Sequence, residues 1–140
     1  MIQDLDFTPE TFNLLHNLTL ADPDPTLTVT TEPHQKVTLQ TPLEWITVNF
    51  TNPNWTEPPL EEHVNLRKLS LELLPVLQER ACHKGWIWRK RSGILLIDGW
   101  QQNGCRERAT AHIQHPLITR AFIQAYTHLC TKLNPPPPRR

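Results

Sequence analysis

Glycine is scarce in this 140-residue chain, with four copies, and cysteine scarcer, with three. No apolar run approaches the roughly 20 residues that a membrane helix needs. Each shortage excludes something. No glycine-rich phosphate loop can be placed, and neither G-x-S-x-G nor H-E-x-x-H occurs. The odd cysteine count (Cys82, Cys105, Cys130) does not make a disulfide framework and fits a reducing compartment. The opening Met1-Ile2-Gln3-Asp4-Leu5-Asp6 is acidic and lacks the basic and apolar regions of a secretory signal. The expected location is therefore cytoplasmic, and the sequons at Asn17, Asn49 and Asn54 read as accidental.

Positive charge is nearly missing from the first 62 residues. They hold ten carboxylates (Asp4, Asp6, Glu10, Asp22, Asp24, Glu32, Glu44, Glu57, Glu61, Glu62) and Lys36 alone. Residues 63–140 reverse this, with thirteen Lys/Arg against four Asp/Glu. The chain is neutral only by cancellation, and such a split bears on partners rather than on fold. Composition is otherwise that of a globular protein, 38% hydrophobic and 20% charged. A chain of this length buries about two-thirds of its unfolded surface and needs no metal or disulfide to hold it. The expected organisation is one domain over 1–133 followed by a flexible Pro/Arg tail over 134–140. The 14 prolines cluster between elements as punctuation.

Periodicity supplies the elements. Thr8 is the expected N-cap of a first helix, with Pro9 at its first position, Glu10 in its first turn, and Phe7 and Phe12 spaced as a hydrophobic staple. Phe12, Leu15 and Leu18 share its apolar face. Asp22-Pro23-Asp24-Pro25 ends it. Three alternating stretches follow, over 26–31, 36–41 and 43–51; in the last, Ile46, Val48 and Phe50 face one way and Trp45, Thr47 and Asn49 the other. Short connections make an antiparallel meander the simplest arrangement, and Asn52-Pro53-Asn54 reads as a turn.

A second helix is expected from a cap at or near Thr56, with Pro58 and Pro59 in its first turn. Leu60, Val64, Leu71 and Leu74 trace one face, and Leu66, Leu69, Leu73 and Leu77 widen it, which suggests a core helix. Pro75 should kink or split it, and Gly85 should close it. Residues 86–90 and 94–98 then form a hairpin about Arg91-Ser92-Gly93. Ile94-Leu95-Leu96-Ile97 is apolar on both faces, so this strand should be central and covered on both sides. A sixth strand over 105–113 points Cys105, Ala109, Ala111 and Ile113 inward, with Glu107 as a blemish on that side. Pro116 opens a last helix whose face runs Ile118, Phe122, Ala125, Leu129, Leu133. The fold class is α+β, in the order α-βββ-α-βββ-α.

The sharpest chemical feature is the basic hairpin. Lys84, Arg89, Lys90 and Arg91 are interleaved with Trp86 and Trp88, and Arg106 and Arg108 extend the charge if the sixth strand pairs nearby. Cations attract phosphates, and indoles stack on bases. Strand parity separates Trp86 and Trp88 from Arg89 and Arg91, so a buried tryptophan face with a solvated basic face is the plainer reading. Cys82, His83, Cys105, His112, His115, His128 and Cys130 lack the tight spacing of zinc ligands, and no metal or cofactor is expected. Asp98, before Gly99 and Trp100 at the end of an apolar strand, is where a small enzyme would place an acid. The expected function is a non-enzymatic binding or adaptor domain acting through protein–protein contact, self-association included. The alternatives are a nucleic-acid-binding module using Lys84, Arg89, Lys90, Arg91, Arg106 and Arg108, and an enzyme built on Asp98. Neither a membrane nor a small-molecule ligand is expected as partner. Pro135 to Pro138 with Arg139 and Arg140 has the composition of an extended ligand for an aromatic groove, though a disordered end is simpler.

Overall fold

The computed structural model describes residues 4–51 and 56–133, so the Asn52-Pro53-Asn54 turn and the 134–140 tail lie outside the described residues. The order is α1 (Pro9–Ala21), β1 (Leu27–Thr30), β2 (Lys36–Gln40), β3 (Trp45–Asn49), α2 (Leu60–His83), β4 (Ile87–Arg91), β5 (Ile94–Trp100), β6 (Arg106–His112), α3 (Thr119–Leu133). This is the expected α-βββ-α-βββ-α. The strands form two separate antiparallel sheets, β1-β2-β3 and β4-β5-β6.

The helices lie on the inner faces. α1 packs on β1, α2 on β3, and α3 touches both of these helices as well as β5 and β6. Central placement explains the burial of α3. Ala121, Phe122, Ile123, Ala125, Tyr126, Leu129 and Cys130 are all buried, a wider set than the single face read from its periodicity. It starts at Thr119, not Pro116, and is pinned there by two contacts. The Thr119 hydroxyl donates to the Ser70 carbonyl, and the Arg120 amide donates to Asp4.

Local rules account for most boundaries. The Thr8 side chain accepts from the Thr11 amide and caps α1, with Pro9 in the first turn. The staple takes a different form from the expected one: Phe7 and Phe12 each pack on the Phe50 ring. α2 ends in a Schellman motif, with Gly85 at φ +77° and the Trp86 amide donating to the Ala81 carbonyl. The β4–β5 turn places Ser92 and Gly93 both at positive φ, as a two-residue hairpin of right-handed strands requires.

α2 departs from expectation three times. Its N-cap is Pro59, with no side-chain cap, so Thr56, Pro58 and Pro59 all precede the helix proper. It runs unbroken through Pro75. Pro75 is exposed, so the Leu71 carbonyl that loses its donor faces water, while Leu73 and Leu77 anchor the chain to either side. Finally, Leu66, Leu69, Leu73 and Leu77 form the buried face, whereas Leu60, Val64 and Leu71 are exposed. At the start of α2, buried Glu62 accepts from the Asn49 backbone and side-chain amides and so covers the edge of β3.

An ionic knot joins the helices. Asp22 and Asp24, at the exit of α1, face Arg80 at 3.6 and 3.2 Å, and Lys84 lies 3.3 Å from Asp22. The Tyr126 hydroxyl donates to Asp22, and the Arg80 guanidinium also reaches the Thr26 hydroxyl. Burial alone would raise the Asp24 carboxyl, but hydrogen bonds from the Thr26 hydroxyl and amide, with Arg80 and Lys84, hold it below the usual carboxylate range. Burial and then Asp22 push the Tyr126 phenol far up and the Cys130 thiol to about 12, so both are neutral at ordinary pH.

These contacts set the cost of two substitutions. Arg80→Met removes the guanidinium shared by Asp22 and Asp24 and leaves Asp22 to Lys84 and Tyr126 and Asp24 to the Thr26 hydroxyl and amide. It should lower unfolding free energy by about 2–4 kcal/mol in a denaturant titration, and Asp24→Asn in that background should recover part of the loss. Gly99 lies under the Trp86 indole, where a Cβ would stand 2.7 Å from Nε1 and 2.9 Å from Leu133 Cδ1. Gly99→Ala should therefore cost about 1–3 kcal/mol by overpacking, with a change in tryptophan emission as Trp86 shifts.

Candidate binding face

The second sheet has two unlike faces. Trp86 and Trp88 lie on the α3 side, where Trp86 meets Tyr126 and Trp88 stands edge-on to Phe122. Leu95, Ile97, Ala109 and Ala111 complete that buried layer. Both indoles are thus packing residues, as strand parity implied. Glu107, the blemish on this side, falls at the strand end, where it accepts from Gln101 Nε2 at 3.0 Å. Cys105 is exposed and precedes β6, so the inward position expected for it is corrected.

The opposite face carries no helix among the described residues, and the expected cover on both sides of β5 is corrected: Ile94 and Leu96 are only half-buried. Pairing across the three strands arranges this face in rows. Arg91, Ile94 and His112 form one row, and Arg89, Leu96 and Thr110 the next. Ile87, Asp98 and Arg108 follow, and Trp100 with Arg106 ends the grid. Four arginines therefore share the face with one carboxylate, a balance of three positive charges. Ile87 and Trp100 are 59% and 42% exposed, so apolar surface is interspersed among the guanidinium groups.

Asp98 is the only acid in the grid. Its two oxygens take a bidentate pair from Arg108, at 2.7 and 3.1 Å. The Arg108 hydrogen bonds outweigh partial burial and, with the positive charge of Arg108, Arg106 and Arg89, hold the Asp98 carboxyl below the usual carboxylate range. A general acid needs the opposite shift. His112 lies four positions beyond Arg108 on β6, about 13 Å at strand rise, too far to act with Asp98.

The six cations singled out in the sequence fall into three groups. Arg89, Arg91 and Arg106 are exposed on the open face and make no ion pair among the described residues. Arg108 shares the face but is tied to Asp98. Lys84 and Lys90 are not on it. Lys90 has the parity of Trp86 and Trp88, at the far end of β4. Lys84 follows α2, bound to Asp22 and 5.6 Å above the Trp86 ring. It does border an open concavity of about 560 Å³ beyond the Trp100 end of the face, lined also by Trp86, Trp100, Gln101, Asn103 and Lys132. Trp100 belongs to both. Sequence reading missed this role of Trp100, although its place two residues after Asp98 on an alternating strand carried the signal.

The cysteines and histidines do not converge: among the described residues no three His, Cys, Asp or Glu side chains are grouped as a metal site. No helix of the described residues is long and apolar enough to cross a membrane.

The Asp98 shift has a direct check. A carboxyl whose folded pKa is depressed contributes stability above its unfolded value near 3.9, and the contribution fades as pH falls through the folded value. Carboxyl-detected NMR titration should place Asp98 below that reference, and Arg108→Gln should move its midpoint upward. An unchanged midpoint in Arg108→Gln would show that the ion pair does not hold the carboxyl. No family model, no curated protein and no solved structure matches this chain.

Proposed function

We propose that this chain is a binding domain that holds single-stranded nucleic acid along the open face of β4, β5 and β6. The observation that supports the reading most is a set of three arginines, Arg89, Arg91 and Arg106, without an ion pair among the described residues, on a face that no described helix covers and that ends at an exposed indole. Phosphates attract such guanidinium groups without reference to sequence, and a base can stack on Trp100 or on an arginine plane. A flexible single strand can follow a face about 20 Å long and three strands wide, whereas a rigid duplex meets it over few phosphates. The concavity beside Trp100 offers a continuation, with Lys84 and Lys132 at its rim.

Protein–protein contact, the reading favoured from the sequence, draws on a different observation. Ile87, Ile94 and Leu96 put apolar surface among the arginines, and tryptophan and arginine are common anchors of protein interfaces. The same face would then suit an acidic, partly apolar segment.

Fluorescence anisotropy with a labelled single-stranded oligonucleotide and its duplex, over a salt series, separates the two. Wild-type protein should bind the single strand more tightly. Contact with three or four phosphates gives a log–log salt slope of about −2 to −3. Arg89→Ala, Arg91→Ala and Arg106→Ala should each flatten that slope by about 0.7. Trp100→Ala should weaken binding by about 1–3 kcal/mol with little change in slope. Absence of binding at low salt would remove the nucleic-acid reading and leave protein contact. Binding that survives the triple arginine variant would move the site elsewhere.

A further inference from the structure

α2 carries a second apolar stripe on the side opposite its buried one. Leu60, Val64 and Leu71 are 78%, 48% and 47% exposed. With Arg67 they follow the alternating four-and-three spacing of a coiled-coil seam. A helix apolar on both sides belongs in an interior, yet this side of α2 is open to solvent. The patch extends beyond the helix. A Lys68–Glu44 contact at 3.5 Å brings the β2–β3 turn alongside α2, and exposed Leu43 and Trp45 flank Glu44 there.

We propose that two copies of the chain associate through this stripe, with their α2 helices antiparallel. The charges decide both the partner and the direction. In a parallel seam Arg67 would face Arg67 of the second copy. In an antiparallel seam centred between Asn65 and Leu66, Leu60 meets Leu71, and Val64 meets the aliphatic stem of Arg67 with its guanidinium free to reach water. Glu61 and Lys68, one residue beyond Leu60 and Arg67, then approach each other across the seam, where Lys68, half exposed beside Glu44 of its own chain, is shared between the two carboxylates. Every contact occurs twice, as a two-fold interface requires. The stripe from Leu60 to Leu71 spans about 18 Å of helix. So short a seam gives a reversible dimer, not an obligate one. It lies on α2, apart from the open face of β4–β6, so each copy would present that face independently.

Sedimentation velocity on the full chain, from about 5 to about 500 µM, tests the arrangement across the affinities that short interfaces reach. The wild type should pass from monomer to dimer. Val64→Lys should raise the dissociation constant at least about tenfold by setting a second cation against Arg67 in the seam. Glu61→Lys should set two ammonium groups against each other across the seam, the new one and that of Lys68, and weaken association by about fivefold. Glu61→Lys combined with Lys68→Glu should restore it. Circular dichroism checks that each variant remains folded. A wild type that stays monomeric overturns the proposal, as does a dimer indifferent to Val64→Lys or a double charge swap that fails to recover association.

Discussion

Two carboxylates at the exit of α1 hold the molecule together across its sequence. Asp22 and Asp24 engage Arg80 and Lys84 at the end of α2, and Asp22 takes the Tyr126 hydroxyl from α3. All three helices meet at this point, and β1 begins beside it, with Asp24 accepting from the Thr26 amide and hydroxyl. An aspartate buried without such partners would carry a large desolvation cost. The ion pairs therefore constrain how α1 and α2 can close over α3, and they require the acidic and basic halves of the chain to be folded together.

The same contacts sort the cations. Arg80, Lys84, Lys68 and Arg120 are answered by Asp22, Asp24, Glu44 and Asp6, all from the acidic first half. These four cations lie on or at the ends of helices. The arginines of the second sheet receive only Asp98 among the described residues, and Asp98 lies within that sheet. Internal neutralisation thus removes much of the helix-borne charge and leaves a net positive face on β4–β6. The split seen along the chain is a poor guide to the surface, because much of it is cancelled inside the fold.

Much of the fold was legible because its signals are local. Thr8-Pro9, Gly85 and Ser92-Gly93 each set a boundary through backbone geometry within a few residues. Strand parity placed Trp86 and Trp88 opposite Arg89 and Arg91 without knowledge of any partner. The candidate face was legible in part: Arg89, Arg91, Arg106 and Arg108 share it by parity and by antiparallel pairing. Lys84 escaped the same reading, since its proximity to the basic hairpin in sequence says nothing of Asp22, 62 residues earlier. Periodicity also gave α2 one wide apolar stripe that read as a core helix, whereas the fold buries only its Leu66, Leu69, Leu73 and Leu77 part and leaves Leu60, Val64 and Leu71 exposed.

By itself the sequence determined the order of elements, the alternation within each strand and the charge carried by each segment, because these depend on side chains one to four positions apart. Tertiary structure alone decided which apolar sides are covered. Three helices between two sheets shield one face of each sheet, so among the described residues the outer faces carry no helix even where β5 is apolar on both. It also decided which charges remain unpaired, because Coulombic partners are chosen by distance in space and the nearest carboxylate to a cation here can lie tens of residues away.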